Sequence, residues 1–435
     1  MLWVYSHKSM RSANALAELI PPYREYTSFR MHTSWAALSV FSWVLANMYK
    51  WSQSYAALPA CRAWTAIVGL SFLCLLPACS DGNGNNNAYA GEQFPEENVP
   101  FAELYEQGIS RYLGQYTPML SEQDSLDSGV INHYFGAGDG PLCREGAQYS
   151  MATRDVGSQE LVIFLEGGGA CWSDLCASNT EAVSGITAVG ILDPQREDNP
   201  VKDWNQVFVP YCDGSLHAGD VDIDTDGDGS NDRFQRGLHN LSAALDVAVN
   251  TFPAPRRILL TGESGGGLGT TFALALVRKL YPDAAIEVIN DSGVGVGRPD
   301  QPEFLRQLLD EWNLGAFFPA SCPNCIPEDG HLTDYLIWQM DQDETLRRGM
   351  LSYSRDTVFA DFFLQIGKDA FEVALFEEMP QLEEAHPQRS HYWIPAGEKH
   401  TFIRAEPDQT AGGVPVLDWI GYMLDDSDEW VSVQD

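Results

Sequence analysis

Basic residues are scarce in this chain: 26 Lys and Arg stand against 61 Asp and Glu, a formal net charge of −35 over 435 residues. A surface of that sign repels nucleic acid and other polyanions at low salt, which argues against nucleic-acid binding. No repeat of fixed period is present, so solenoid and propeller architectures are set aside. The apolar run Trp64–Ala78 is fifteen residues long, short of the ~20 that a spanning helix needs. The one Gly-Gly-Gly-Ala run has no lysine behind it, so it is not a Walker phosphate loop. Cys322-Pro323-Asn324-Cys325 has no second Cys-x-x-Cys to complete a zinc tetrad.

The charge is unevenly spread. Residues 1–79 hold six basic and two acidic residues, net +4, which leaves 20 basic and 59 acidic residues, net −39, in the rest. A charged region, the apolar run and a small residue before a cut describe an export signal. Cys79 directly after Ala78 resembles the lipobox of bacterial lipoproteins. That likeness implies acylation of Cys79, anchoring to membrane lipid and, with Ser80 next, an outer-membrane address. Asp81 to Asn87 is Gly- and Asn-rich and reads as a flexible tether. A second apolar stretch, Trp35–Tyr49, is best explained if translation starts at Met48. The boundaries are therefore 1–79 targeting, 80–92 tether and 93–435 one folded domain. With Cys61, Cys74 and Cys79 set aside, six cysteines remain: Cys143, Cys171, Cys176, Cys212, Cys322 and Cys325. An even number in an exported chain points to disulfides; Cys171 with Cys176 is the simplest local loop.

After a helical lead-in over 94–116, short apolar strands alternate with helical segments. Strands are expected at Glu160–Leu165, Gln206–Tyr211, Arg257–Leu260, Ala285–Asn290, Phe359–Ile366 and His391–Pro395. Helices are expected at Gln235–Asn250, Leu268–Leu280, Gln301–Trp312, Ala370–Glu377 and Val416–Leu424. In the first of these, Leu238, Leu241, Leu245 and Val249 recur at helical spacing. The fold class is α/β: an α/β-hydrolase-like, mostly parallel central sheet with helices on both faces.

The strand ending in Leu260 runs into Thr261-Gly262-Glu263-Ser264-Gly265-Gly266-Gly267 and then a helix. A strand–Gly-x-Ser-x-Gly–helix sequence is a nucleophile elbow, in which a sharp turn raises the serine hydroxyl above the sheet. A serine hydroxyl needs a base, and the base an orienting acid. In the order nucleophile, acid, histidine, both partners lie downstream. Of His331, His386, His391 and His400, the last sits on a short loop past the last strand, where functional residues of parallel sheets collect. Asp369, between an expected strand and helix, is the preferred acid, and Asp291 its competitor. Unblocked backbone amides for an oxyanion are available at Gly265 and in Gly167-Gly168-Gly169.

Beyond the elbow the chain carries Cys143-Arg144-Glu145-Gly146, Leu165 to Trp172, Tyr211 to Asp220, Arg236 to Asn240 and Asn290 to Gly293. Together with the elbow, these motifs resemble the pectin acetylesterase and Notum family of serine carboxylesterases. The resemblance runs from Pro141 to the C-terminus and keeps the family's motif order. It implies Ser264 as nucleophile, Asp369 as acid, His400 as base, and Gly168, Gly169 and Gly265 as oxyanion donors, with no catalytic cofactor. Two departures stand out: Gly265 where the family usually has Ala, and Gly169 where a bulky aromatic often follows the paired glycines. The second is expected to open the acyl side of the pocket.

Asp224-Thr225-Asp226-Gly227-Asp228-Gly229-Ser230-Asn231-Asp232 carries the alternating aspartates of short extracellular calcium loops, without the twelfth-position carboxylate of an EF-hand. A structural calcium on Asp224, Asp226, Asp228 and Asp232 is therefore expected. The functional expectation is an exported serine carboxylesterase that removes acyl groups, acetyl foremost, from a carbohydrate or small ester. Polygalacturonate suits a domain of charge −39 poorly. The alternatives are a lipid or protein deacylase with a longer acyl pocket, and a non-catalytic surface-binding lipoprotein.

Overall fold

The computed structural model describes residues 99–299, 301, 303–326 and 330–435. The expected signal, Cys79 and the tether lie outside the described residues. Ten strands form one sheet: β1 Leu120–Gln123, β2 Val130–Tyr134, β3 Ser150–Arg154, β4 Glu160–Leu165, β5 Asn205–Val209, β6 Arg257–Glu263, β7 Ala285–Asp291, β8 Arg347–Leu351, β9 Ser390–Ile394 and β10 Val433–Gln434. Their order is β1-β2-β3-β5-β4-β6-β7-β8-β9-β10. From β5 to β10 every pairing is parallel, and β1, β2 and β3 add an antiparallel edge.

The central strands are apolar on consecutive residues because both faces are covered. Leu161, Ile163 and Leu165 of β4 pack into one core, whereas Val162 and Phe164 pack into the other. Helices α1 Ala102–Glu106, α2 Gly237–Thr251, α3 Gly265–Leu280, α4 Glu303–Glu311, α5 Thr333–Gln342, α6 Lys368–Ala385 and α7 Val416–Leu424 complete the fold. The first face is covered by α2 and α3 through Leu241, Leu245, Phe272 and Leu276. The second is covered by α7 through Val416, Trp419, Ile420 and Met423.

Two expectations are corrected here. Among the described residues, the lead-in helix spans only Ala102–Glu106. Phe359–Ile366 is not a strand; Val358–Phe363 forms a π-helical turn. The Asp356 carboxylate accepts from the Phe359 amide (2.9 Å) and its carbonyl from the Ala360 amide (2.9 Å), which starts a helical turn and not an extended chain. The parallel strand in this part of the chain is β8, whose Arg348 and Gly349 interrupt any apolar pattern. Arg348 is fully buried and donates to Gln339 Oε1 at 2.7 Å. A Cβ at Gly349 would lie 2.5 Å from Ile289 Cδ1 and 2.9 Å from the Trp419 ring, so close sheet–helix packing requires glycine there.

All six cysteines of the domain are paired, as Cys143–Cys212, Cys171–Cys176 and Cys322–Cys325. The Cys-x-x-Cys sequence is thus a closed disulfide and offers no thiolates to a metal. Among the described residues, no helix is long and apolar enough to cross a membrane.

Candidate active site

β6 ends at Glu263, and α3 begins at Gly265. Ser264 between them has φ 55° and ψ −120°, a conformation that L residues rarely adopt. Holding a serine there costs of order 1–3 kcal/mol. The turn is tolerated because its neighbours lack side chains. A Cβ at Gly262 would lie 2.4 Å from the Gly266 carbonyl oxygen, and one at Gly266 would lie 2.1 Å from that of Leu165. Leu216, His217, Ser292 and Thr401, on the surrounding loops, also have positive φ. Such clustering of backbone strain marks a functional region.

The Gly167–Gly169 loop lies directly on the elbow. A Cβ at Gly167 would come within 2.8 Å of Ser264 Cβ, and one at Gly265 within 3.2 Å of the Gly169 carbonyl oxygen. Gly169 has φ +83°, and a Cβ there would sit 2.0 Å from the Ala177 carbonyl oxygen. Ala177 belongs to the strand Cys176–Ser178, which pairs antiparallel with Gly169–Cys171. This corrects the expectation that Gly169 vacates space on the acyl side: the backbone of that hairpin occupies it.

His400 follows β9 and is held by an acid other than the expected one. Its Nδ1 lies 2.6 Å from Asp356 Oδ2, and the Asp356 side chain is fully buried. Asp369 does not approach the imidazole. It stands in the first turn of α6 with its side chain 89% exposed, 2.5 Å from Arg355. Asp356 lies five residues beyond Leu351, the end of β8, the strand whose buried arginine and glycine conceal it in the sequence. Nδ1 donates to Asp356, and the tautomer follows from that bond. Nε2, the remaining lone-pair nitrogen, is buried and makes no hydrogen bond. A buried, unsatisfied imidazole nitrogen is uncommon in a structural histidine and typical of a base awaiting a substrate or nucleophile proton.

Asp291, the competing acid, has a different task. Its Oδ2 accepts from the amides of Phe402 (2.7 Å) and Ile403 (2.9 Å), and its backbone carbonyl accepts from the Ser264 amide (2.7 Å). One buried residue thereby ties the histidine loop and the elbow to the same strand end. Burial pushes its carboxyl up to about 6. Glu263, next to Ser264, is pushed up to about 7, chiefly by burial, with Arg404 opposing the rise.

A family model described as Pectinacetylesterase matches residues 133–313. Palmitoleoyl-protein carboxylesterase notum2 of Xenopus laevis is 27% identical over 167 residues, 35% of this chain and 33% of that protein. Pectin acetylesterase 4 of Arabidopsis thaliana is 28% identical over 215 residues, 45% of this chain and 48% of that protein. These matches support the pectin acetylesterase and Notum family as the one this chain resembles. Inactive palmitoleoyl-protein carboxylesterase notum1b of Danio rerio, also similar, is 39% identical over 92 residues, 18% of this chain and 65% of that protein.

The chain spans a third to about half the length of the first two relatives. Gly167–Gly169 and Ser264 fall inside the segment matched by the family model, and Asp356 and His400 fall beyond it. An apolar cleft opens beside the elbow. Leu216 and Leu268 line it on the side of the elbow, and Phe304, Trp312, Phe359 and Phe363 on others. Leu268 lies one turn along α3 from Ser264, and Leu216 Cδ2 would be 3.6 Å from a Cβ on Gly265. Phe359 and Phe363 belong to the Val358–Phe363 turn, whose Phe359 and Ala360 amides bond to Asp356, so Asp356 is tied directly to one cleft wall.

The Asp-rich segment is the tip of a hairpin between Val221–Ile223 and Arg233–Gln235. Ligand oxygens of Asp224, Asp226 and Asp228 lie within 4.8 Å of one another. Asp232 is turned to Thr225, accepting from its amide (3.0 Å) and hydroxyl (2.7 Å). Asp224 accepts from the amides of Gly227, Asp228 and Gly229 at 2.7, 3.2 and 2.8 Å.

Proposed function

We propose that this chain is a serine carboxylesterase using Ser264 as nucleophile, His400 as base and Asp356, in place of Asp369, as orienting acid. The observation that carries the reading is His400: Nδ1 is fixed by a buried aspartate, and Nε2 is buried without a partner on a loop anchored to the Ser264 amide through Asp291. In the reaction Ser264 Oγ attacks the ester carbonyl and its proton passes to His400 Nε2. The amides of Gly168, Gly169 and Gly265 receive the developing oxyanion. Protonation of the departing alcohol leaves an acyl-serine, which water hydrolyses with His400 again as base.

The substrate proposed is an acetylated, weakly charged carbohydrate or small ester met outside the cytosol. Three disulfides support an oxidising compartment. The lipid anchor at Cys79 and an outer-membrane address belong to the same reading and rest on the sequence. A second reading, a lipid or protein deacylase, is favoured by the leucine and phenylalanine lining of the cleft, which suits a longer acyl chain.

A p-nitrophenyl ester series from acetate to palmitate separates the two. Each methylene buried contributes about 0.8 kcal/mol, so a cleft that receives the acyl chain raises kcat/KM by roughly fourfold per added carbon until it is full. A decline from acetate onward supports the acetylesterase. A structural calcium on Asp224, Asp226 and Asp228 is kept as part of the proposal. It predicts a Tm that falls on chelation and recovers with added calcium, and an unchanged Tm removes it.

A further inference from the structure

Arg404 lies four residues beyond His400, and its side chain is mostly buried. Its Nη1 donates to Glu263 Oε1 at 2.7 Å and lies 3.6 Å from Glu166 Oε1. Glu263 is the residue directly before Ser264, and Glu166 the residue directly before the Gly167–Gly169 loop. The guanidinium is flanked by the rings of Phe164 and Phe208, 5.6 and 5.7 Å away, on adjacent strands β4 and β5. Glu166 is fixed from its other oxygen, which accepts from the Tyr211 amide at 3.2 Å. One cation thus touches the last residue before each of two reactive segments and itself sits on the third.

We propose that Arg404 is a positioning residue, a clamp that holds the His400 loop in register with the nucleophile elbow and the oxyanion loop through Glu263 and Glu166. This rests on the esterase reading above. The physical case is one of charge as well as geometry. Two carboxylates with side chains only 10% and 14% exposed flank a single guanidinium. Removing that guanidinium leaves both buried without their cation, a costly arrangement that the chain relieves by protonation or displacement. Displacement of either one moves a residue covalently joined to Ser264 or Gly167. Errors of about 1 Å at such positions cost roughly 10²-fold in rate. Lysine keeps the charge but is an imperfect substitute, since an ammonium lacks the flat guanidinium that sits beside the Phe164 and Phe208 rings.

The test uses the full chain with a p-nitrophenyl ester, active sites counted by fluorophosphonate labelling, and thermal melts alongside. Arg404→Met is expected to lower kcat per labelled site by about 30-fold or more with KM changed by less than about threefold, and Arg404→Lys to fall between it and the wild type. The acid limb of its pH–rate profile should move to higher pH, because a cation is lost from beside Glu263, which with Asp291 interacts electrostatically with the imidazole. A purely structural arginine gives a lower Tm and fewer labelled sites, but an unchanged rate per site and an unmoved limb; that result overturns the clamp.

Should Arg404→Met fail to fold, Glu263→Gln removes one carboxylate with little change of shape and leaves Arg404 on Glu166. Its acid limb should move the opposite way, to lower pH, and an unmoved limb again overturns the proposal. Absence of any wild-type label at Ser264 sinks the esterase reading itself, and the clamp with it. That outcome is distinct from a labelled wild type and an indifferent Arg404→Met.

Discussion

Replacing Ser264 by alanine is expected to lower kcat/KM on an activated ester by about 10⁵-fold or more, while the protein stays folded. The hydroxyl is the atom that forms the acyl bond, so no neighbouring group takes its place. Ester turnover that remains should come only from the oxyanion amides and substrate binding. Stability provides a control built into the same position. Alanine keeps the Cβ and so keeps the strain of φ 55° at residue 264. Ser264→Gly releases that strain and should raise stability by about 1 kcal/mol or more while abolishing hydrolysis equally. Matched kinetics and melts of the two variants check both effects, and a Ser264→Ala variant retaining a tenth of wild-type activity rules out the elbow as the reactive site.

The second large effect concerns the acid. Asp356→Asn should reduce kcat by about 10⁴-fold, because an amide nitrogen facing Nδ1 favours the wrong imidazole tautomer and leaves Nε2 protonated. Asparagine still offers an oxygen to the Phe359 amide, which Asp356 Oδ1 now binds, so the π-helical turn should persist. Asp369→Asn should leave kcat within about twofold and Tm within about 2 °C, since an exposed ion pair contributes only 0–1 kcal/mol. Steady-state kinetics of the two variants decide between the aspartates. A large loss in Asp369→Asn with none in Asp356→Asn would restore the sequence-based assignment.

That exchange of aspartates shows where the sequence was readable. β4, β6, β7, α3 and α7 follow from largely apolar runs ended by glycine or polar residues, and their bounds agree with expectation to within a few residues. The elbow and the glycine loop were legible for the same reason: each needs glycine at fixed places, and the composition records it. β8 was not legible. Its Arg348 is held through one hydrogen bond to Gln339, nine residues away on a helix, and Gly349 is required by Ile289 and Trp419 from other elements. Nothing local announces either constraint. Once β8 is missed, the mostly apolar run Phe359–Ile366 looks like the absent strand, and the nearest aspartate after it looks like the acid.

The antiparallel edge was hidden in a similar way. β1 is exposed along its length, and β3 buries Ser150, Thr153 and Arg154 among its five residues. Arg154 is accepted there because Gln206 and Asp127 receive its donors at 2.7 and 2.5 Å. Tertiary partners decide such strands, and periodicity does not report them. The role of Arg404 is likewise a matter of three segments meeting, visible only once Glu166, Glu263 and the His400 loop share one place.

The most direct measurement is peptide mapping of the full chain after reaction with a fluorophosphonate. A single covalent adduct on Ser264, formed in wild type and lost in both Ser264→Ala and a protein pre-acylated by a slow ester, is the expected result. An unmodified Ser264 in folded protein that nevertheless hydrolyses esters would contradict the assignment of this serine, and with it the catalytic roles given to His400 and Asp356.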